Sequence, residues 1–521
     1  MADTRSTQAA TNGATNGIHQ PRARKAGSSP QPDRSLGSAL KRPGLTVESR
    51  TPSGTPAPSD DAPPSVKATS AARREIRRKS SRRMFPTVDY QSRVSYFDPQ
   101  SDYTNFRGFF VLFWIGLAIM VMTSMLRSLR ETGYLLSIQQ WPLFVENIWE
   151  LAASDFFMVA TTAIDLPLHK LYKRSKGLLR WNAAGMAIQS IVQAGWLYFW
   201  IAWPFARDWT WTSQVFFTLH TLAMFMKMHS YAFYCGHLST TFNRLRQLDR
   251  PVGPEIQTTK AVRYPHAHTL EVPQSDSEEE DLPPIVQLRQ DLAHELTSPQ
   301  GDISYPANLT FSNFAVYLCC PTLCYELSYP RSPNRNYLEL FYKVLAVFGC
   351  IFLMTVISEE FILPVLSESH LRLNRPGISN YDKGLIFAET VSRLLFPFML
   401  TFLLTFLVIF EYTLNAFAEI TRFADRQFYS DWWNSLDWME FSREWNIPVH
   451  NFFRRHIYSA SRQSRLPKIW AASLTFFVSA LAHELVMGCI TRKFRGYGFV
   501  MMMLQGPIVL VQRTRLVRER T

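Results

Sequence analysis

The sequence predicts an all-α protein, a polytopic bundle of transmembrane helices. Three observations predict it. Uncharged apolar runs recur at spanning length, the clearest being "FFVLFWIGLAIMVMTSML" at 109–126 and "LLFPFMLTFLLTFLVIF" at 394–410. About 20 apolar residues cross a hydrocarbon core, and a soluble helical protein would need an unusually large core to bury several such runs. Charges do occur at membrane depth, at Glu146, Glu150, Asp165, Glu359, Glu360, Glu389 and Arg393. They are affordable only where helices enclose a polar interior, or where a span ends earlier than its apolar run suggests. Finally, a basic run, "RREIRRKSSRR" at 73–83, lies shortly before the first apolar segment, as expected of a cytoplasmic flank facing anionic lipid.

Residues 1–95 are rich in Ser, Pro, Thr, Ala, Arg and Gly. Such a segment cannot bury enough surface to offset its chain entropy, and it reads as a disordered, cytosolic N-terminal tail. Through Gln100 it holds 17 Lys/Arg and 8 Asp/Glu, a net of +9 within the +13 of the whole chain. The basic character is therefore a tail property, and nothing after it resembles a nucleic-acid module. No apolar h-region occurs in the first hundred residues, so no signal peptide is expected.

Residues 96–521 read as one membrane domain. Candidate spans lie at 109–126, 143–163, 183–205, 215–234, 340–363, 394–410, 469–488 and 497–511. Between the fourth and fifth, residues 243–308 are polar and include the acidic run "SDSEEED" at 275–281. This stretch is expected to be a cytosolic linker, in which the glycosylation sequon at Asn308 would be inert. The six cysteines show no zinc or disulfide spacing, so reduced, packed thiols are expected.

Soluble nucleophile and phosphate motifs are lacking. There is no GxSxG, Walker A or GxGxxG, and "HELVM" at 483–487 has Met where a zinc-binding HExxH needs its second His. A site must then be built in the membrane. Thr475, Ser479 and His483 fall at i, i+4 and i+8, one polar stripe on an otherwise apolar helix. A desolvated histidine is neutral near pH 7 and can take a proton from a weakly acidic hydroxyl. The competing reading is a histidine that only hydrogen-bonds neighbouring helices. Glu484 turns away from the stripe and is expected to be an orienter or a structural acceptor.

The stretch "FYSDWWNS" at 428–435 is the second candidate. Asn434 can donate to a carbonyl oxygen that gains charge. Trp432 and Trp433 suit a ligand-lining surface or, equally, an interfacial aromatic belt. Asp431 is expected to be structural. "REWNIPVH" at 443–450 adds His450, a ligand contact or a packing histidine.

"LNAFAEITRFADRQFYSDWWNS", "FSREWNIPVHNFFRRHIY" and "FFVSALAHEL" together resemble the membrane-bound O-acyltransferase superfamily, closest to its fungal sterol O-acyltransferase branch. "MKMHSYAFYCGHL" at 226–238 and the segment 305–331 carry the same resemblance, which covers roughly 109–512. It implies transfer of a fatty acyl group from acyl-CoA to the 3-hydroxyl of a sterol, in the endoplasmic reticulum membrane. It implies a multi-pass bundle of about nine helices assembled as a homodimer or homotetramer, with acyl-CoA as co-substrate, no cofactor and no metal. His483 and Asn434 take the catalytic positions. Trp433, Trp432, Tyr429, Phe428, Ser479, His450 and Gln505 form the expected substrate-binding set. A thioester is already activated, so the reaction is expected to proceed directly, without an acyl-enzyme. Branch members continue past "MMMLQGPIVLVQRT" with another span, whereas this sequence ends in a basic segment at 513–521, leaving about eight. The sister diacylglycerol O-acyltransferases share the FYxDWWN block and the histidine, and are the nearest alternative. A non-catalytic lipid-binding or transport protein is the alternative of another class.

Overall fold

The computed structural model describes residues 85–512 and 514, apart from 87, 99–100, 102–106, 136–141, 143–144, 176, 250–283, 299–300 and 513. The basic run at 73–83 and the acidic run at 275–281 lie outside the described residues. Every regular element among those described is helical.

The principal helices among the described residues are α1 Arg107–Thr132, α2 Ile148–Arg174, α3 Met186–Ala206, α4 Trp211–Leu248, α5 Pro284–Glu295, α6 Phe311–Cys319, α7 Tyr337–Leu373, α8 Asn380–Thr421, α9 Trp438–Glu444, α10 Ile447–Phe452, α11 Lys468–Thr491 and α12 Tyr497–Gln512. A π-helical turn, Trp181–Gly185, precedes α3, and another, Phe453–Ser459, follows α10 and leads into a short helix, Ala460–Gln463. Seven of the eight candidate spans lie within helical segments, and the candidate at 143–163 overlaps α2 from Ile148 onward. Among the described residues, five helices (α1 from Gly108, α2, α7, α8 and α11) are long and apolar enough to cross a membrane, and α12 is a shorter apolar helix. On α1, Phe109, Leu112, Ile119 and Met122 are exposed, the pattern of a helix whose outer face meets lipid.

At about 1.5 Å per residue, α7 (37 residues) and α8 (42 residues) run to about 55 and 63 Å, well beyond a hydrocarbon core of about 30 Å. Of the charges noted in the sequence, Glu389 and Arg393 are paired between these two helices. Arg372 pairs with Glu389 at 2.9 Å and Arg393 with Glu368 at 2.7 Å. Capping fixes the helix starts: Asn336 accepts from Glu339 N, and Ser379 from Asp382 N. Arg422 and Arg492 adopt left-handed backbone and end α8 and α11.

Ordered packing reaches into both stretches expected to be loose. The Phe85 ring packs tilted against Tyr234, and Val88 N donates to Glu326. Leu292, Leu296, Tyr305 and Leu309 join the principal core with Tyr231, Tyr234, Phe314, Tyr317 and Tyr325. Asn308 is buried and donates to the Tyr325 hydroxyl at 3.2 Å. The physical reason is local: scattered aromatics and leucines in these polar stretches supply the anchors. All six cysteines are free, five of them buried and Cys319 exposed.

One arrangement orients the site. Arg93 N donates to Ala424 O and Arg426 N donates to Arg93 O, at 3.0 and 2.8 Å, while Ser332 N donates to Arg422 O at 2.8 Å. The segment before α1, the segment before α7 and the segment after α8 thus lie side by side.

Candidate active site

The block at 428–435 is built from its buried end outward. Phe428 and Tyr429 are closed off in the core, at 2% and 1% exposure. Neither has surface to offer a ligand here, so both support the block rather than line it. Ile447 N donates to Phe428 O at 3.0 Å. The Tyr429 hydroxyl donates to Glu411 Oε2 at 3.0 Å, and Ser95 Oγ donates to the same oxygen at 2.5 Å. Lys343 Nζ lies 3.9 Å from Glu411 Oε1. Glu411 sits in a π-helical turn, Leu407–Thr413, within α8. Such turns re-aim side chains and recur at functional sites.

The chain then makes a 3-10 turn at Trp432–Asn434. Asn434 N donates to Asp431 O at 2.8 Å, and Asn434 Nδ2 lies 3.5 Å from Asp431 Oδ2. Ser430 Oγ donates to the other Asp431 oxygen at 3.0 Å. Asp431 is therefore the brace of the turn, and it orients the Asn434 amide, whose side chain stands exposed. Trp432 packs against Phe402, Phe406, Phe441 and Trp445, its ring 4.9 Å from that of Trp445. Its buried Nε1 donates to no acceptor among the described residues. Trp433 stacks on Phe97 at 5.9 Å.

His450 is half-buried on α10. Burial, then Arg454 and Arg443, hold its imidazole below the usual histidine range.

His483 stands on α11, with Thr475 and Ser479 on the same stripe. Among the described residues nothing encloses the stripe: His483 is exposed, and Thr475 and Ser479 are half-buried. The ring is nonetheless oriented. Nδ1 lies 2.8 Å from the Ser479 carbonyl oxygen. A carbonyl only accepts, so Nδ1 carries the proton and, in the neutral ring, Nε2 carries the lone pair. Ser479 acts here through its main chain. Thr475 is turned back on its own helix, donating to Ala471 O at 2.8 Å.

Glu484 does what an acceptor does. It takes Gly496 N at 2.6 Å and Phe499 N at 3.1 Å, capping the start of α12. A Cβ on Gly498 would meet Glu484 Oε2 at 3.2 Å, so the close approach uses the bare glycine. Gln505 is half-buried on α12 and donates to Met502 Sδ. The far end of α12 reaches the aromatic block, because Trp438 N donates to Gln512 Oε1 at 3.3 Å. Helix α12 therefore ties the histidine helix to the start of α9, four residues after Asn434.

Sequence reasoning missed Glu411, Lys343 and Ser95. Glu411 was visible as the first charge after the apolar run 394–410, but its partners come from residues some 70 and more than 300 positions away.

The sequence profile of the membrane-bound O-acyltransferase family matches residues 106–520. A probable sterol O-acyltransferase 2 of Schizosaccharomyces pombe is 36% identical over 422 residues, covering 81% of this chain and 83% of that protein. A sterol O-acyltransferase 2 of Saccharomyces cerevisiae is 31% identical over 421 residues, covering 80% and 63%. A diacylglycerol O-acyltransferase 1B of Glycine max is 37% identical over 212 residues, 40% of each chain.

Proposed function

The chain belongs to the membrane-bound O-acyltransferase family, and from that premise we propose that it esterifies a sterol, moving a fatty acyl group from acyl-CoA to the 3-hydroxyl. The sterol acceptor is supported by similarity to sterol O-acyltransferases along about four-fifths of the chain, against two-fifths for the diacylglycerol enzyme. The chemistry is carried by one observation, the 2.8 Å contact of His483 Nδ1 with the Ser479 carbonyl, which presents Nε2 as a base.

In the proposed reaction the sterol hydroxyl gives its proton to His483 Nε2 as its oxygen attacks the thioester carbonyl. The C–S bond breaks, CoA leaves as thiolate, and the imidazolium returns the proton to sulfur. A positioned base of this kind contributes about 10²–10⁴-fold. Asn434, braced by Asp431, donates to the oxygen on which charge develops. No protein nucleophile is required, and lipid around the exposed stripe keeps out the water that would hydrolyse the thioester. We place the enzyme in the endoplasmic reticulum membrane, with the N-terminus cytosolic, as a homodimer or homotetramer. The Asn434 turn then faces the cytosol, where acyl-CoA is.

Microsomes holding the chain, fed labelled oleoyl-CoA with either ergosterol or diacylglycerol, test this. Sterol ester formed with sterol-dependent release of free CoA thiol is the expected result. Triacylglycerol alone would move the chain to the diacylglycerol branch, and lipid binding without thiol release would make it non-catalytic.

A further inference from the structure

Where α7 begins and α8 ends, three arginines meet. Each is anchored to the main chain through one nitrogen. Arg331 Nη1 donates to Thr421 O at 2.5 Å, Arg335 Nε to Ile420 O at 3.0 Å, and Arg422 Nε to Ser332 O at 2.7 Å. Single-point anchoring fixes the direction of a guanidinium and leaves the rest of its donor fork available, the geometry that grips phosphate oxygens in pairs.

The charge balance around them is uneven. Glu419 is taken by Arg426 and by Asn336 N, and Glu339 by Lys343 and Arg426. Among the described residues, Arg331, Arg335 and Arg422 have no carboxylate partner. Arg331 and Arg335 are also exposed. A surface that strands three cations beside saturated acids attracts an anion.

A cavity of about 240 Å³ opens at this place, lined by Arg335, Tyr337, Leu340, Glu419 and Ile420. Its lining mixes apolar surface from Tyr337, Leu340 and Ile420 with the Arg335 side chain and with Glu419, whose carboxylate is already engaged by Arg426 and Asn336 N. Within one or two helical turns of these arginines, α7 exposes Leu338 and Phe341 and α8 exposes Phe417. Cations at the membrane surface with apolar side chains one or two turns deeper match a phospholipid, head and tail. A free anion would have no use for those apolar faces.

We propose that Arg331, Arg335 and Arg422 form a binding site for the phosphate of an anionic phospholipid, whose chains lie along the exposed faces of α7 and α8. The site stands apart from His483 and does not depend on the acceptor of the reaction. Occupying it holds the end of α8 against the start of α7, with Arg422 six residues before the block at 428–435.

The test uses the full chain purified in detergent and follows its melting temperature. Dioleoyl phosphatidic acid is expected to raise it saturably, because a ligand bound only by the folded state stabilises by mass action. Phosphatidylcholine and inorganic phosphate should not. In Arg335→Gln and Arg422→Gln the increment should disappear, and Arg335→Lys should keep part of it. An equal increment with phosphatidylcholine, or one unchanged in the Gln variants, overturns the proposal. So does displacement of the phospholipid by CoA, which would assign the arginines to a nucleotide. If Arg422→Gln does not fold, native mass spectrometry of the Arg335→Gln protein decides: loss of the retained phosphatidic acid supports the site, and retention at the wild-type level rejects it.

Discussion

The hydroxyl of Tyr429 donates to the carboxylate of Glu411 across 3.0 Å, and the two residues belong to different structural units: the aromatic block and the π-helical turn of α8. Ser95, from the segment before α1, donates to the same oxygen. Tyr429→Phe leaves a buried carboxylate one donor short, at a cost of about 1–3 kcal/mol. Because the three groups act together, Tyr429→Phe and Ser95→Ala should couple in a double-mutant cycle by about 0.5–3 kcal/mol. Thermal melting reads the cycle. Strict additivity would mean that the shared oxygen does not link the two segments.

His483 and Ser479 separate side-chain from main-chain roles. His483→Ala should remove acyl transfer, by about 10²-fold or more, while the protein still inserts and melts normally. Ser479→Ala keeps the carbonyl that orients the ring, so transfer should persist close to the wild-type rate. A loss in Ser479→Ala comparable with that in His483→Ala would show that the Ser479 hydroxyl contacts substrate after all.

Arg455 and Glu326 form a buried pair at 2.9 Å, with side-chain exposures of 1% and 7%. The guanidinium also lies 4.9 Å from the Phe85 ring and 4.7 Å from that of Tyr234, which partly satisfies its remaining donors. Glu326→Ala strands a buried charge and should cost about 3–5 kcal/mol. A loss below about 1 kcal/mol in denaturant or thermal unfolding would contradict the burial of the pair.

Much of this arrangement was legible in the sequence, and the remainder was not for a physical reason. Long apolar runs announce helices that can meet hydrocarbon. Among the described residues five of the eight candidates fall on helices long and apolar enough to cross a membrane, one on the shorter α12, and those at 183–205 and 215–234 on helices that do not reach that apolarity. The polar stripe of α11 was readable because helical spacing is local. Its enclosure was not: the sequence suggested a buried His483, and the exposed ring reflects packing between helices. Phe428 and Tyr429 looked like ligand-lining aromatics and are core residues, because Ile447 and Glu411 hold them from distant elements. Glu411 itself was a lone acid at the end of an apolar run until Ser95, Lys343 and Tyr429 met it. The structured part of the N-terminal region escaped notice because four aromatics, Phe85, Tyr90, Tyr96 and Phe97, do the anchoring in a polar background.

His456 gives a pH dependence. Its Nε2 lies 2.8 Å from Ser230 Oγ, which also accepts from Tyr325 N. Burial first, then Arg455 and His229, hold its pKa well below the ordinary histidine value. In the unfolded chain it protonates near pH 6.5. Below that pH the unfolded state binds a proton that the native state refuses, so stability falls as pH falls, by up to about 1.4 kcal/mol per unit. The loss ends where the depressed native pKa is reached, and above about pH 6.5 the residue contributes no slope. Melting curves between pH 5 and 7.5 should show the decline in the wild type and a shallower one in His456→Gln. Identical slopes would remove His456 from the account.

Gly236 offers a test of packing alone. It lies on α4, where a Cβ would stand 2.0 Å from Cε2 of the Trp181 ring. That ring is not the loose end of a flexible chain. It is wedged between His169, Tyr172 and Phe233, with centroids at 5.4, 5.9 and 5.4 Å. Two effects oppose one another in Gly236→Ala. Alanine is the better helix former by about 1 kcal/mol, whereas overpacking a close-packed site costs typically about 1–3 kcal/mol. An overlap this deep requires the whole aromatic group to shift, so the upper end of that range applies and the variant should melt below the wild type. Trimming the obstacle reverses the sign: in a Trp181→Leu background, where that protein folds, Gly236→Ala should be neutral or stabilising. If Gly236→Ala raises the melting temperature in the wild-type background, Trp181 does not lie against the bare backbone of α4.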